Sequence, residues 1–225
     1  MDAPEVIFED DYILVLNKPT GWVINDSNTV SGAPVLQDWI SENYNFSISQ
    51  NKDLRNGIVH RLDKPTSGII LVAKTEDVFY ALQSQFADRL ISKVYVALVH
   101  GKMLTKEGNI NEKIGRLPWK RTNFGVIETG RDAVTDYKVL NSNLDYSLVE
   151  LYPKTGRTHQ LRVHLKHIGF PIVGDHVYAP RKMAKADLQT FGRLMLHAKS
   201  IKFTHPITKE KIKLEAPLPQ NFNLP

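Results

Sequence analysis

The 225-residue sequence predicts an α+β fold with an antiparallel or mixed sheet. Three observations carry that expectation. Short apolar runs of strand length outnumber amphipathic helical stripes. The few stripes do not alternate with strands in a regular β-α-β order. No internal repeat, low-complexity tract or Pro/Ser linker interrupts the chain, so a single domain over 1–225 is expected. With 42% hydrophobic and 24% charged residues the chain can build a core, which excludes a disordered or fibrous protein.

The elements follow in order. Residues 6–8 and 12–17 are apolar runs separated by Glu9, Asp10 and Asp11, the pattern of a β-hairpin. Lys18-Pro19-Thr20-Gly21 then breaks the strand and opens a loop. Leu36, Trp39 and Ile40 fall at helical spacing and predict a short helix over 34–44, followed by a polar, irregular stretch over 46–57. Residues 58–62 and 69–74 read as two strands joined by Asp63-Lys64-Pro65-Thr66-Ser67-Gly68, a connection rich in turn formers. Thr75 is placed to cap a helix with Glu76 and Asp77 in its first turn, where acids suit the dipole. Val78, Leu82, Phe86 and Leu90, four apart, give that helix one apolar stripe.

Residues 93–100 alternate as a strand, 101–136 read as loops with short strands, and 147–152 as another strand. A helix is expected over 157–168, with Leu161, Leu165 and Ile168 inward and Gly169 past its end. Residues 194–198, 200–204 and 210–214 close the chain as strands, the last two joined through Pro206.

Composition removes several function classes. No apolar run exceeds six residues, so no membrane span is expected. The acidic start Met1-Asp2-Ala3-Pro4-Glu5 is not a secretory signal. Zero Cys excludes disulfides, thiolate metal sites and Cys nucleophiles. A soluble, cytoplasmic protein is the expected class. The net charge of +5 is unevenly spread: residues 1–112 carry −5 and residues 113–225 carry +10. A basic half points to a polyanion, nucleic acid first and anionic lipid second.

The segment Gly57-Ile58-Val59-His60-Arg61-Leu62-Asp63 ends an apolar run on an acid, at a turn held by Pro65 and Gly68. A turn on a rigid scaffold is a common way to present a catalytic group. Taken alone, Asp63 also reads as an ordinary turn residue. His60-Arg61-Leu62-Asp63 with Thr66-Ser67-Gly68 and Ala73-Lys74 resembles the signature of the RluA family of pseudouridine synthases. Three further stretches agree in order: Val15-Leu16-Asn17-Lys18-Pro19-Thr20-Gly21, Lys93-Val94-Tyr95-Val96-Ala97-Leu98-Val99, and Thr155-Gly156-Arg157-Thr158-His159-Gln160-Leu161-Arg162-Val163-His164. Pro171-Ile172-Val173-Gly174-Asp175 and Leu196-His197-Ala198 complete a match running from about Val6 to Pro217. Ordered motifs of this kind are highly specific.

The resemblance implies a mixed, mainly antiparallel sheet bent around a central active-site cleft that holds Asp63. It implies an isomerase that detaches uracil from ribose and rejoins it through C5, with no cofactor and no metal. Many family members carry an S4 RNA-binding domain before the catalytic domain. Here the catalytic pattern starts within the first ten residues, so a catalytic domain alone is expected, holding ribosomal or transfer RNA by itself or with a partner. A monomer is expected.

The same resemblance distributes the roles. Asp63 is the nucleophile, with attack at C1′ or C6 left open. Desolvation disfavours an ionised carboxylate, and a nearby cation offsets this; Arg162 matches the family's basic partner. Tyr95 matches the active-site tyrosine, able to stack on an extruded uracil and to assist loss of the C5 proton. Arg61 resembles the residue that fills the space left by the flipped nucleotide. His60 joins it as a substrate-side candidate, and Leu196 packs beneath the base or simply in the core. The basic stretches 116–121 and 181–185 are candidates for holding phosphates. His159, His164 and His167 lack metal-site spacing. An inactive RNA-binding or RNA-chaperone protein on the same scaffold is the alternative; it would have no need of Asp63, Tyr95 and Arg162 together. A carboxylate-dependent hydrolase would need a second acid that no motif supplies.

Overall fold

The computed structural model describes residues 2–25, 32–222 and 224. Strands β1 (Glu5–Glu9) and β2 (Ile13–Lys18) are followed by helix α1 (Leu36–Asn43), a 3-10 turn (Arg55–Gly57), β3 (Ser67–Ala73) and α2 (Glu76–Ala87). Next come β4 (Ser92–His100), β5 (Glu107–Asn111), β6 (Ile114–Leu117), β7 (Lys120–Val126), β8 (Val134–Ser142) and β9 (Tyr146–Pro153). Helices α3 (Gln160–His167) and α4 (Arg181–Phe191) precede β10 (Leu196–Thr204) and β11 (Lys211–Glu215). The chain groups into two compact units, one of Met1–Lys93 with Ala198–Pro217, the other of Val94–His197 with Leu218–Pro225.

In the first unit the strands run in the order β1-β2-β3-β10-β11. The ladders β1–β2, β2–β3 and β10–β11 are antiparallel. Strands β2 and β3 are almost wholly buried, which is why they read as continuous apolar runs rather than alternating ones. The β1–β2 turn is closed by Asp10, whose Oδ1 accepts the amides of Tyr12 and Ile13, each at 2.8 Å. Its other oxygen accepts from His205 Nε2 at 3.1 Å, tying the β10–β11 turn to the first hairpin. Helix α2 starts where predicted: the Thr75 side chain accepts from the Val78 amide, and Glu76 and Asp77 fill the first turn. Gln85 then clasps the end of β10, donating to the Thr204 carbonyl at 2.7 Å and accepting its amide at 3.0 Å.

In the second unit β4-β9-β8-β5 is antiparallel throughout, with Tyr95 opposite Leu151 and Val139 opposite Val149. Its core joins Val96–Val99, Val149 and Leu151 to Leu161 and Leu165 of α3 and Phe191 of α4. β6 and β7 form a separate two-stranded ribbon.

Three expectations are corrected. Residues 58–62 are not a strand: only an isolated bridge joins Ile58 to Val72, and the chain enters it through left-handed Asn56 and Gly57. The third expected helix starts at Gln160 rather than 157, because His159 is left-handed (φ 56°). The expected strands 194–198 and 200–204 merge into the single strand β10, which starts at Leu196. The basic stretch 181–185, a candidate for phosphates, lies in the first turn and a half of α4.

Candidate active site

Asp63 is partly buried on the loop between Ile58 and β3, in the first unit. That loop is held from one side by the residues after β2. Lys18, fully buried, donates from Nζ to the carbonyls of Pro19 (2.9 Å), Trp22 (3.0 Å) and Lys64 (3.3 Å). Thr20 Oγ1 donates to the Pro65 carbonyl at 2.8 Å, and the Gly21 amide to the Lys64 carbonyl at 2.9 Å. The Thr66 amide closes the turn on the Asp63 carbonyl at 3.0 Å. Gly68 then lets β3 start flush against β10. It has φ +113°, and a Cβ there would lie 2.3 Å from the Ala198 carbonyl oxygen.

His60 does the work of a missing strand on the other side. The Leu71 amide donates to His60 Nε2 at 3.0 Å, so an imidazole takes the place of a ladder carbonyl. That bond makes Nε2 an acceptor and leaves the proton on Nδ1. The ring stacks on Phe86 at 5.0 Å, and Lys93 lies 5.8 Å over the same Phe86 ring. Burial, helped by the Lys93 charge, pushes the His60 imidazole down to about 3. Burial also lowers the Lys93 ammonium from its ordinary value. Arg61, by contrast, is exposed.

The second unit carries Tyr95, Arg162 and Leu196. Leu196 is a core residue, 3% exposed, and Tyr95 packs partly buried on the same cluster. Arg162 is buried on α3, where Asp175 grips it in a two-pronged bond: Nε donates to Oδ2 at 2.7 Å and Nη2 to Oδ1 at 2.8 Å. The guanidinium also lies over the Tyr178 ring at 5.0 Å. The Tyr178 hydroxyl accepts the Phe124 amide at 3.2 Å and meets His159 Nδ1 at 2.7 Å.

Gln160 explains why α3 starts so abruptly. Its Oε1 accepts from Thr155 Oγ1 (2.7 Å) and the Arg157 amide (2.9 Å). Its Nε2 donates to the Val134 carbonyl and Thr135 Oγ1, both at 3.0 Å. His164 Nε2 faces the Glu112 carbonyl at 3.3 Å, which places the proton there and leaves Nδ1 to accept from Thr135 Oγ1 at 3.0 Å. Burial, foremost, lowers the His164 imidazole below its ordinary value. His159 and His164 are thus engaged with different partners, and His167 Nε2 lies 3.8 Å from the Glu112 carboxylate. Among the described residues no three His, Cys, Asp or Glu side chains form a group able to hold a metal ion.

A family model described as RNA pseudouridylate synthase matches residues 12–167. A Bacillus subtilis protein named as an uncharacterized RNA pseudouridine synthase is 38% identical over 218 residues, covering 97% of this chain and 70% of that protein. The chain belongs to the RNA pseudouridylate synthase family. It is also 37% identical to the ribosomal large subunit pseudouridine synthase D of Pseudomonas aeruginosa, over 97% of this chain and 69% of that one. The human RNA pseudouridylate synthase domain containing 1 superposes with a TM-score of 0.73 at 27% identity, covering 96% and 84% of the two chains. The synthase is therefore an isomerase acting on RNA.

The sequence assigned no role to Asp175, Tyr178, Lys93 or Gln160, and it quoted Lys18 only within a motif. For Lys18 a signal existed: a lysine closing an apolar strand and followed by Pro is poorly placed for solvent. Asp175 was likewise quoted only within a motif, and its pairing with Arg162 left no local signal, since the partner lies 13 residues away across a loop.

Proposed function

We propose that this synthase isomerises uridines of ribosomal RNA with Asp63 as nucleophile and Arg162 as its cationic partner. The observation that carries the proposal is the Asp63 turn, whose following carbonyls are gripped by Lys18, Thr20 and Gly21. A backbone held so closely presents its carboxylate in one direction, which covalent attack on a flipped nucleotide requires. Tyr95 stacks on the uracil and assists loss of the C5 proton. Arg61, exposed beside Asp63, fills the space that the flipped nucleotide leaves. His60, with Nε2 occupied by Leu71, supports the loop.

The name of the Pseudomonas relative supports large-subunit ribosomal RNA as the first substrate to test, with transfer RNA second. We further propose that it acts in the cytoplasm, where that substrate is found, and as a monomer. No helix of the described residues is long and apolar enough to cross a membrane. We read the two units as one catalytic domain, a reading supported by the family match, which runs through residues of both.

The test uses RNA carrying tritium at uridine C5. Isomerisation releases that hydrogen to water without changing the mass of the RNA otherwise. Wild type is expected to release it and Asp63→Asn to release none while still binding RNA. Release by both proteins removes Asp63 from its role, and release by neither, with binding intact, returns the inactive RNA-binding alternative.

A further inference from the structure

We propose that Asp175 is the positioning residue for Arg162, fixing the direction in which the guanidinium acts. The inference rests on the role given to Arg162 above. A guanidinium has five N–H donors in a rigid plane. Asp175 takes the Nε and one Nη2 donor in a bidentate bond, so its carboxylate fixes the plane of the fork. Both side chains are withdrawn from water, Arg162 being 2% exposed and Asp175 0%.

The carboxylate is itself immobilised. Its Oδ1 also accepts the amides of Val177 (3.0 Å) and Tyr178 (3.2 Å). The Asp175 amide donates to the Ile172 carbonyl at 3.2 Å, and its carbonyl accepts from Ala179 at 2.9 Å. One residue earlier, the Gly174 amide donates to Oδ2 of buried Asp187 at 2.9 Å. Gly174 has φ +77°, and a Cβ there would lie 2.2 Å from the Arg193 carbonyl oxygen, so only glycine lets the loop pack this closely. The open face of the guanidinium rests on Tyr178, whose hydroxyl is anchored by Phe124 and His159.

A buried ion pair gives a fold little that apolar side chains of the same volume would not give. What it does supply is a charged donor held in place before the reaction begins, which is how fixed dipoles lower a barrier. Asp175 therefore acts through Arg162 and makes no contact of its own with RNA.

The experiment measures single-turnover tritium release and RNA affinity for wild type, Asp175→Asn, Arg162→Lys and the double variant. Asp175→Asn is expected to slow release at least 30-fold with RNA affinity within twofold of wild type. In the Arg162→Lys background the same change is expected to cost less than threefold. A full loss repeated in that background would make Asp175 a generally structural residue and overturn the proposal. So would a fall in RNA affinity that matches the fall in rate. Asp175→Asn at wild-type rate with Arg162→Lys slow would overturn it while leaving the role of Arg162 intact. Arg162→Lys at wild-type rate would instead overturn the underlying assignment. If Asp175→Asn fails to unfold cooperatively, Asp175→Glu carries the test, with at least a tenfold loss in rate expected and a wild-type rate overturning the proposal.

Discussion

His60 shows how one side chain can both complete a fold and make it sensitive to pH. Its Nε2 accepts the Leu71 amide only while the ring is neutral, and its folded value lies near 3. An unfolded histidine titrates near 6.5. Between those values the unfolded chain binds more protons than the native one, so stability falls as pH drops. This contribution is fully present above about pH 6.5 and is lost progressively towards pH 3. We expect wild type to lose up to about 3 kcal/mol from this group between pH 6.5 and 4. Urea midpoints across that range check it. His60→Gln should flatten the acid-side slope while lowering stability at pH 7 by about 1–2 kcal/mol, because the Leu71 amide then has a poorer acceptor. An unchanged slope in the variant would place the acid sensitivity elsewhere.

At the level of elements, the start of β3 gives the sharpest contrast. A Cβ on Gly68 would lie 2.3 Å from backbone oxygen and 2.6 Å from backbone nitrogen of Ala198, and neither can turn away. Gly169, past the end of α3, has φ +89° but nothing within 4 Å of its Cβ position. Gly169→Ala should therefore cost about 1–2 kcal/mol, the strain of the left-handed backbone alone. Gly68→Ala should cost about 3 kcal/mol or more, as strain and overpacking together. Denaturant midpoints of the two variants decide it; equal losses would mean that β3 and β10 can part locally at Gly68.

The same elements show what a sequence discloses. β2, β3 and α2 were legible because burial on both faces, or one apolar stripe behind a Thr cap, leaves a mark in consecutive residues. α4 was not, since its buried face is Ala184, Asp187 and Phe191 and hides a carboxylate where periodicity looks for carbon. Residues 58–62 read as a strand because Ile58, Val59 and Leu62 are apolar, and all three are buried, yet the Leu71 amide of β3 is met by the His60 imidazole. The Asp63 turn was legible from its turn formers. The grip of Asp175 on Arg162 was not, because a contact across a loop leaves no local pattern.

Over the whole molecule, the split between the −5 and +10 halves predicts that the basic half meets RNA. One concentration of charge lies on the β6–β7 ribbon. Residues 113–127 contain Lys113, Arg116, Lys120 and Arg121 and no acid, with Trp119 77% exposed at the turn. Arg116 is committed locally: it donates to the Arg121 carbonyl at 2.9 Å and lies 4.9 Å over Phe124. Lys120 and Arg121 are exposed side chains available to phosphates. Each phosphate neutralised releases counterions, so the logarithm of affinity falls with the logarithm of salt by about 0.7–0.9 per contact. Wild type should therefore bind RNA with a steep negative slope between 50 and 200 mM salt. Replacing Lys120 and Arg121 together by Ala should lower that slope by about 1.4–1.8, weakening binding for every RNA alike, since phosphate contacts position without reading sequence. Replacing Lys52 and Lys106, exposed cations of the acidic half, should leave the slope within about 0.3 of wild type if the basic half carries the phosphate contacts. A slope unchanged by the ribbon variant but reduced by the control pair would move the RNA contact surface to the acidic half and break the link between net charge and partner.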